Sequence, residues 1–186
     1  MILNKKFLDE RIGYGKLDES VKYKGRSESY FNSLENYDIF LSHSYQDKEK
    51  IFQVIQLFEE TGYKVYIDWK EDAQLERSLV TEKTADLLRK RMKISKSLAY
   101  FTTSNIKGSK WCPWELGYFD GLKNNRCCIL PVLDYESSSF KGQEYLGLYP
   151  YLDYAPSESG KYDFWVNNTS GTKHISLSNW LKGVNL

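Results

Sequence analysis

Cysteine and histidine are scarce in this chain: three Cys and two His among 186 residues. Cys112, Cys127 and Cys128 form no CxxC pair or Cys/His cluster, so no metal centre of the zinc-ribbon or zinc-finger kind is expected. Adjacent Cys127 and Cys128 point to opposite faces if they lie in a strand, which argues against a bond between them. A reducing cytoplasm fits this usage best. Charge of one sign is also missing. With 26 Lys and Arg against 25 Asp and Glu, the net charge is +1, and neither nucleic acid nor an anionic membrane is indicated as a partner. No run approaches the ~20 apolar residues of a membrane helix. The opening MILNKKFLDERIGYGK has no apolar core of signal-peptide length. GxSxG, HExxH, Walker A and GxGxxG motifs are absent, as are internal repeats and low-complexity tracts.

What is present is an aromatic-rich globular composition: 41% hydrophobic, 27% charged and 16% aromatic, with fifteen tyrosines. Residues 1–36 are polar with scattered apolar positions (Phe7, Leu8, Ile12, Tyr30, Phe31, Leu34), and read as a partly helical N-terminal extension packed on or beside the main domain, which spans 37–186. From Tyr37 onward, short apolar runs alternate with stretches of helical period. YDIFLSHS (37–44), KVYID (64–68), SLAYFTT (97–103) and CCILPVLD (127–134) read as buried strands, and YPYLDYA (149–155) as a fifth, short one. Between them, Ile51, Val54, Ile55 and Phe58 mark one helix, ended by Gly62. Val80, Thr84, Leu87 and Leu88 mark a second over 79–94, and Leu116, Phe119 and Leu122 the inward face of a third. SLSNWLKG (176–183) closes the chain as a helix, and 135–172 reads as loop-dominated. The order implies an α/β fold: a central parallel sheet of about five strands with helices on both faces.

Ligands of open parallel sheets bind beyond the carboxyl ends of the strands. Those ends carry Ser42-His43-Ser44, Asp68-Trp69, Thr102-Thr103-Ser104 and Asp134. The stretch SKWCPWELGYFDG (109–121) sets one carboxylate, Glu115, among two tryptophans, a cysteine and a proline. Pro113 fits a first helical position, with Cys112 as cap and Glu115 third in the helix. Two readings stay open on these residues: an acid that starts the helix, favoured by the macrodipole, or a fixed negative charge that faces a ligand.

Three segments resemble one known family. YDIFLSHSYQDKE resembles the first strand and loop of Toll/interleukin-1 receptor (TIR) domains, YIDWKEDAQLER their second strand and the long loop after it, and SKWCPWELGYF their tryptophan-cysteine and glutamate-leucine signature; CILPVL matches the following strand. The wording is closer to bacterial TIR proteins, including those of Thoeris-type antiphage defence, than to animal receptor adaptors. The resemblance implies a flavodoxin-like TIR fold and cleavage of NAD⁺ as substrate, with no separate cofactor. It implies self-association with other TIR domains, and in a defence setting a phage-derived trigger and a downstream nucleotide-sensing effector. It places Glu115 in the catalytic role, stabilising an oxocarbenium-like ribosyl centre and holding the ribose hydroxyls.

Around Glu115, the resemblance places Ser42, His43 and Tyr45 in a loop lining the site, with His43 or Tyr45 stacking on a base or donating to a phosphate. Asp68 and Trp69 begin the second loop, Trp69 closing over the nicotinamide side as a lid; Arg77 meets the pyrophosphate, and Trp111 either touches ligand or packs the helix start. The loop from Asp68 to Ser78 is long for an α/β unit and is expected to be mobile, and it lacks the glycine common in relatives after the LER segment. The competing readings are a non-catalytic TIR scaffold and a deoxyribosyltransferase-like enzyme, which shares the α/β plan and a catalytic glutamate.

Overall fold

Apolar runs too short for helices and bounded by polar residues become the strands of one sheet. The computed structural model describes residues 1–13, 36–72, 80–103, 109–136 and 144–186, apart from the side chains of Tyr45 and Lys70. In chain order the elements are β1 (Leu3–Asn4), α1 (Lys5–Ile12), β2 (Tyr37–Ser42), α2 (Lys48–Glu60), β3 (Val65–Tyr66), α3 (Asp68–Glu71), α4 (Glu82–Lys93), β4 (Ser95–Thr102), α5 (Trp111–Leu122), β5 (Cys127–Leu133), β6 (Tyr151–Pro156), β7 (Tyr162–Asn167), β8 (His174–Ser176) and α6 (Leu177–Leu181). Among the described residues, no helix is long and apolar enough to cross a membrane.

The sheet runs β3-β2-β4-β5-β6-β7-β8. From β3 to β6 every pairing is parallel, so five parallel strands form its centre, as expected. β2 lies between β3 and β4, so the chain leaves β2 in one direction and later returns on its other side; the strand order reverses at the β2/β4 junction. Such a junction leaves an opening at the carboxyl edge of a doubly wound sheet.

Alternation of side chains across the sheet creates two apolar layers. Ile39, Leu41, Ala99, Phe101, Cys128 and Leu130 face a layer with Leu8 of α1, Ile51, Val54, Ile55 and Phe58 of α2, and Trp180 of α6. Phe40, Leu98, Tyr100, Cys127 and Ile129 face the other, with Leu88 and Met92 of α4 and Trp111, Leu116 and Phe119 of α5. Cys127 and Cys128 do face opposite layers, and all three cysteines are free and buried. Two residues expected to point inward do not: Val80 is 66% exposed and Leu122 is 39% exposed. Val80 precedes α4, whose N-cap is Thr81, and Leu122 ends α5, so neither lies within the buried turns.

The stretch expected to be loop-dominated contains a hairpin. β6 and β7 pair antiparallel over six residue pairs, Tyr151↔Asn167 to Pro156↔Tyr162, and β8 pairs antiparallel with β7. The Ser, Gly and Asn residues that suggested loop are its turns: Gly160 and Gly171 take left-handed φ values of 78° and 68°, which side-chain-bearing residues adopt at a cost.

The N-terminus enters the sheet. β5 touches β6 only at Ile129↔Tyr151, and beyond that point β1 takes the vacated edge, with Leu3↔Val132 and Asn4↔Leu133. The Tyr154 N–H of β6 donates to the Met1 carbonyl at 2.9 Å, so the segment fills the wedge between two diverging strands. Asn4 caps α1 by accepting the Phe7 N–H at 2.8 Å, and Leu8 is fully buried. Lys50 and Gln53 of α2 donate to Asp9 and fix α1 on α2. Tyr30, Phe31 and Leu34 lie outside the described residues.

Burial raises the Asp9 carboxyl, but the hydrogen bonds from Lys50 and Gln53 outweigh it and leave the group below its ordinary value of 3.8. A depressed folded-state value means stability that is present in full above the unfolded value and lost as pH falls through the folded one. Asp9→Ala is expected to cost about 1 kcal/mol in denaturant unfolding near neutral pH, and the difference from wild type is expected to disappear as pH falls through the depressed folded-state value.

Candidate active site

The site grows from the end of β2. Ser42 is the last residue of that strand and has no exposure; its register partner on β4 is Tyr100. It lies on the face covered by α5, where its hydroxyl donates to Glu115 Oε2 at 2.5 Å. Glu115 itself has no exposed surface. A carboxylate taken out of water costs several kcal/mol unless charge or hydrogen bonds compensate it, and a hydroxyl bonded to a charged acceptor returns about 1.5–3 kcal/mol.

The helix does not start where the proline suggested. α5 begins at Trp111, with Pro113 third and Glu115 fifth, beyond the orphan N–H groups of the first turn. Lys110, at the N-cap, makes no side-chain capping bond; the Ser109 hydroxyl before it accepts the Cys112 N–H at 3.2 Å instead. Glu115 is therefore not held as a helix-start acid. It reaches a strand end distant in sequence, at the β2/β4 junction.

The loop after β2 is tied down by its own polar groups. His43 Nδ1 donates to the Leu41 carbonyl at 2.8 Å, which leaves Nε2 to accept from the Trp69 indole N–H at 3.0 Å. Asp68 Oδ1 stands 3.4 Å from the same Nε2 and accepts the Trp69 backbone N–H at 2.8 Å. Both ring nitrogens of His43 are thus used internally, and the ring is buried. Stacking on a base or donating to a phosphate, as expected of His43, would require it to abandon these bonds. At the other end of the loop, Thr103 donates to both Asp47 oxygens at 3.0 Å, joining the 3₁₀ turn Tyr45–Asp47 to the end of β4.

Trp69 is an anchor rather than a free lid. Its ring packs on Phe52 of α2 with centroids 4.6 Å apart and joins the α2-side core. The segment expected to be mobile from Asp68 is fixed through Asp72, which forms a bidentate pair with Arg91 of α4 at 2.8 and 2.9 Å. The Tyr66 hydroxyl donates to the same carboxylate at 2.7 Å, and Asp72 has no exposed surface. The reason lies in an ion pair across the fold: Asp72, buried, has the partly buried Arg91 guanidinium to meet. Residues 73–79, with Arg77, lie outside the described residues, as does the Tyr45 side chain.

Trp111 packs in the core. It is 7% exposed and meets Trp114 edge-on at 5.4 Å. Trp114 in turn stacks on Tyr118, with the Arg89 guanidinium over both rings. The site thus brings together Ser42, Glu115 and Tyr100, with His43, Asp68 and Trp69 as a bonded group at the neighbouring strand ends. Tyr100 was not anticipated. It lies within an apolar strand run, and only the register that sets it opposite Ser42 marks it.

In a doubly wound α/β domain the reversal of strand order is where ligands bind, and here a buried acid stands at that point. The family model for the TIR domain matches residues 39–163. The chain is 47% identical over 148 residues, covering 78% of its own length and 76% of the other, to a protein named probable 3′ cyclic ADP-D-ribose synthase ThsB′ of Bacillus cereus (strain MSX-D12). It is 37% identical over 102 residues, 53% of its length and 27% of the other, to a putative cyclic ADP-D-ribose synthase TIR2 of Cytobacillus dafuensis. The crystal structure of the TIR domain of the Toll-related receptor TRR-2 from Hydra magnipapillata aligns with 56% of this chain and 76% of its own, at 14% identity and a TM-score of 0.41. The chain belongs to the TIR domain family.

Because Trp69, partly buried, packs against the core and holds His43, Trp69→Ala is expected to destabilise the fold by about 2–3 kcal/mol, below the cost of truncating a fully buried large aromatic. Thermal unfolding against wild type reads this directly; an unchanged melting temperature would mean that Trp69 stands free of the core.

Proposed function

We propose that this TIR domain is an enzyme that cleaves NAD⁺, releases nicotinamide and closes the remaining ADP-ribose into a cyclic nucleotide signal. The observation that carries this reading is the Glu115 carboxylate, buried and held by Ser42 at the strand-order reversal. A module that served only as a scaffold would have no use for a charge whose burial costs stability. The name of the Bacillus cereus relative, a probable 3′ cyclic ADP-D-ribose synthase, supports the substrate and product class.

The chemistry suits a single carboxylate. The C1′–N bond breaks with its electron pair going to nicotinamide, which departs as a neutral molecule, so no general acid is needed. Positive charge develops on the nicotinamide ribose, and the Glu115 anion stabilises it where water is excluded. The Ser42 hydroxyl fixes the carboxylate in place, so little reorganisation is needed at the moment of reaction. Capture of C1′ by a hydroxyl at the adenosine end, which gives up its proton, closes the ring; capture by water gives linear ADP-ribose.

The resting arrangement seals Glu115 from solvent, so neighbouring groups must shift before a dinucleotide reaches it. Contact with a second TIR domain is the event we assign to that opening, and a phage-derived trigger acting upstream and an effector that senses the product downstream complete a defence role of the Thoeris type.

Glu115→Gln keeps the size of the side chain and an acceptor for Ser42 while removing the charge. It is expected to retain the fold and lose at least ~10²-fold in nicotinamide release; retention of more than a tenth of the wild-type rate would remove Glu115 from the catalytic role. Specific activity is also expected to rise with protein concentration, and a rate per molecule that stays constant across a hundredfold dilution would exclude assembly as the opening event.

A further inference from the structure

Tyr100 stands across the β2/β4 junction from Ser42, on the face that carries Glu115. Register partners on neighbouring strands turn their side chains to the same face. Tyr100 is the partner of Ser42 on β2 and of Ile129 on β5, and packs in the layer of Trp111, Cys112 and Leu116 beneath α5. It is 3% exposed. Burial first, then the nearby Cys112, Tyr145 and Glu115, push its phenol well above the ordinary tyrosine range, so it stays a hydroxyl.

Tyr145, beside this buried phenol, is different: it is 41% exposed. It rides on the 3₁₀ turn Glu144–Leu148, which is firmly seated. Leu146 is buried among the α5-side core, and the Tyr149 hydroxyl that follows the turn donates to Asp120 of α5 at 3.1 Å. Glu144 has a φ of 50°, in the left-handed region that a residue with a Cβ seldom occupies. Backbone of this kind is sparsely populated, and it gathers at ligand-binding positions. Tyr145 is thus partly open to solvent beside Tyr100, whose own side chain lies on the Glu115 side of the sheet.

We infer that Tyr145, braced by Tyr100, is the platform on which the adenine of the dinucleotide stacks, and that it thereby decides whether an adenosine hydroxyl or water captures the ribosyl carbon. This rests on the NAD⁺-cleaving reading of Glu115. Both outcomes share the loss of nicotinamide with the bonding pair. They differ only in which oxygen bonds to C1′ and releases its proton, and that is settled by whether the adenosine end is folded back when the cation forms. A flat aromatic ring holds any base face without hydrogen-bond readout, which suits a group that must fix the position of adenine rather than react.

The test incubates the purified full chain and its variants with NAD⁺ and measures nicotinamide, cyclic product and linear ADP-ribose by chromatography. Tyr145→Ala is expected to raise the linear-to-cyclic ratio at least fivefold, with nicotinamide release falling a few-fold through KM. Tyr145→Phe keeps the ring and is expected to hold the ratio within twofold. If the alanine variant melts, Tyr145→Leu carries the same expectation, because leucine fills space without an aromatic face. A wild-type ratio in the alanine or leucine variant, or a phenylalanine variant shifted as far as alanine, would overturn the inference while leaving Glu115 in its role. Wild-type turnover to linear product alone would overturn it as well. A wild-type protein that releases no nicotinamide would sink the enzymatic reading and this one with it, and the nicotinamide measurement separates the two failures.

Discussion

One hydrogen bond, from the Ser42 hydroxyl to the Glu115 carboxylate, is the constraint on which the rest of the site depends. It joins the end of a strand to a helix that follows two strands later, and neither residue touches solvent. For the bond to form, β2 and β4 must pair so that Ser42 stands opposite Tyr100, and α5 must lie on that face with its fifth residue turned inward. The apolar layer of Trp111, Leu116 and Phe119 provides that placement. Packing energy from the core thus offsets the cost of an acid in its midst.

The same logic governs the loops at that edge. Strand ends usually give polar groups to water; here they give them to one another. His43, Asp68 and Trp69 form a bonded group, Asp47 holds Thr103, and Asp72 holds Arg91 and Tyr66. Each buried polar atom that finds a partner rigidifies the frame. The carboxyl edge is consequently cross-tied where it borders the acid.

The parallel strands and the order of the helices between them were legible because each rests on a local signal: apolar runs, helical spacing, and a signature that resembles a family. The helix register was not. Pro113 is compatible with several early positions in a helix, and the helix starts two residues before it, where the Ser109 hydroxyl accepts the Cys112 N–H. The β6–β7 hairpin was hidden because its turns are rich in Ser and Gly, which outweighed the alternation in YDFWV. Pairings across long separations, such as Asp72 with Arg91, left no trace in the sequence, because any surface charge on a loop looks the same until the chain is folded. Trp69 was misjudged for a related reason: a tryptophan at a strand end gives no sign of whether it faces a ligand or Phe52.

The wedge formed by residues 1–4 has a consequence for how the chain folds. Leu3 pairs with Val132, a contact about 130 residues apart in sequence, and contacts of such span slow folding because a long loop must close before they form. β1 has no edge to join until β5 lies in the sheet, whereas β2, β3 and β4 pair with one another over shorter spans. The outer edge of β5 therefore closes late, after the strands that carry the site have found their register.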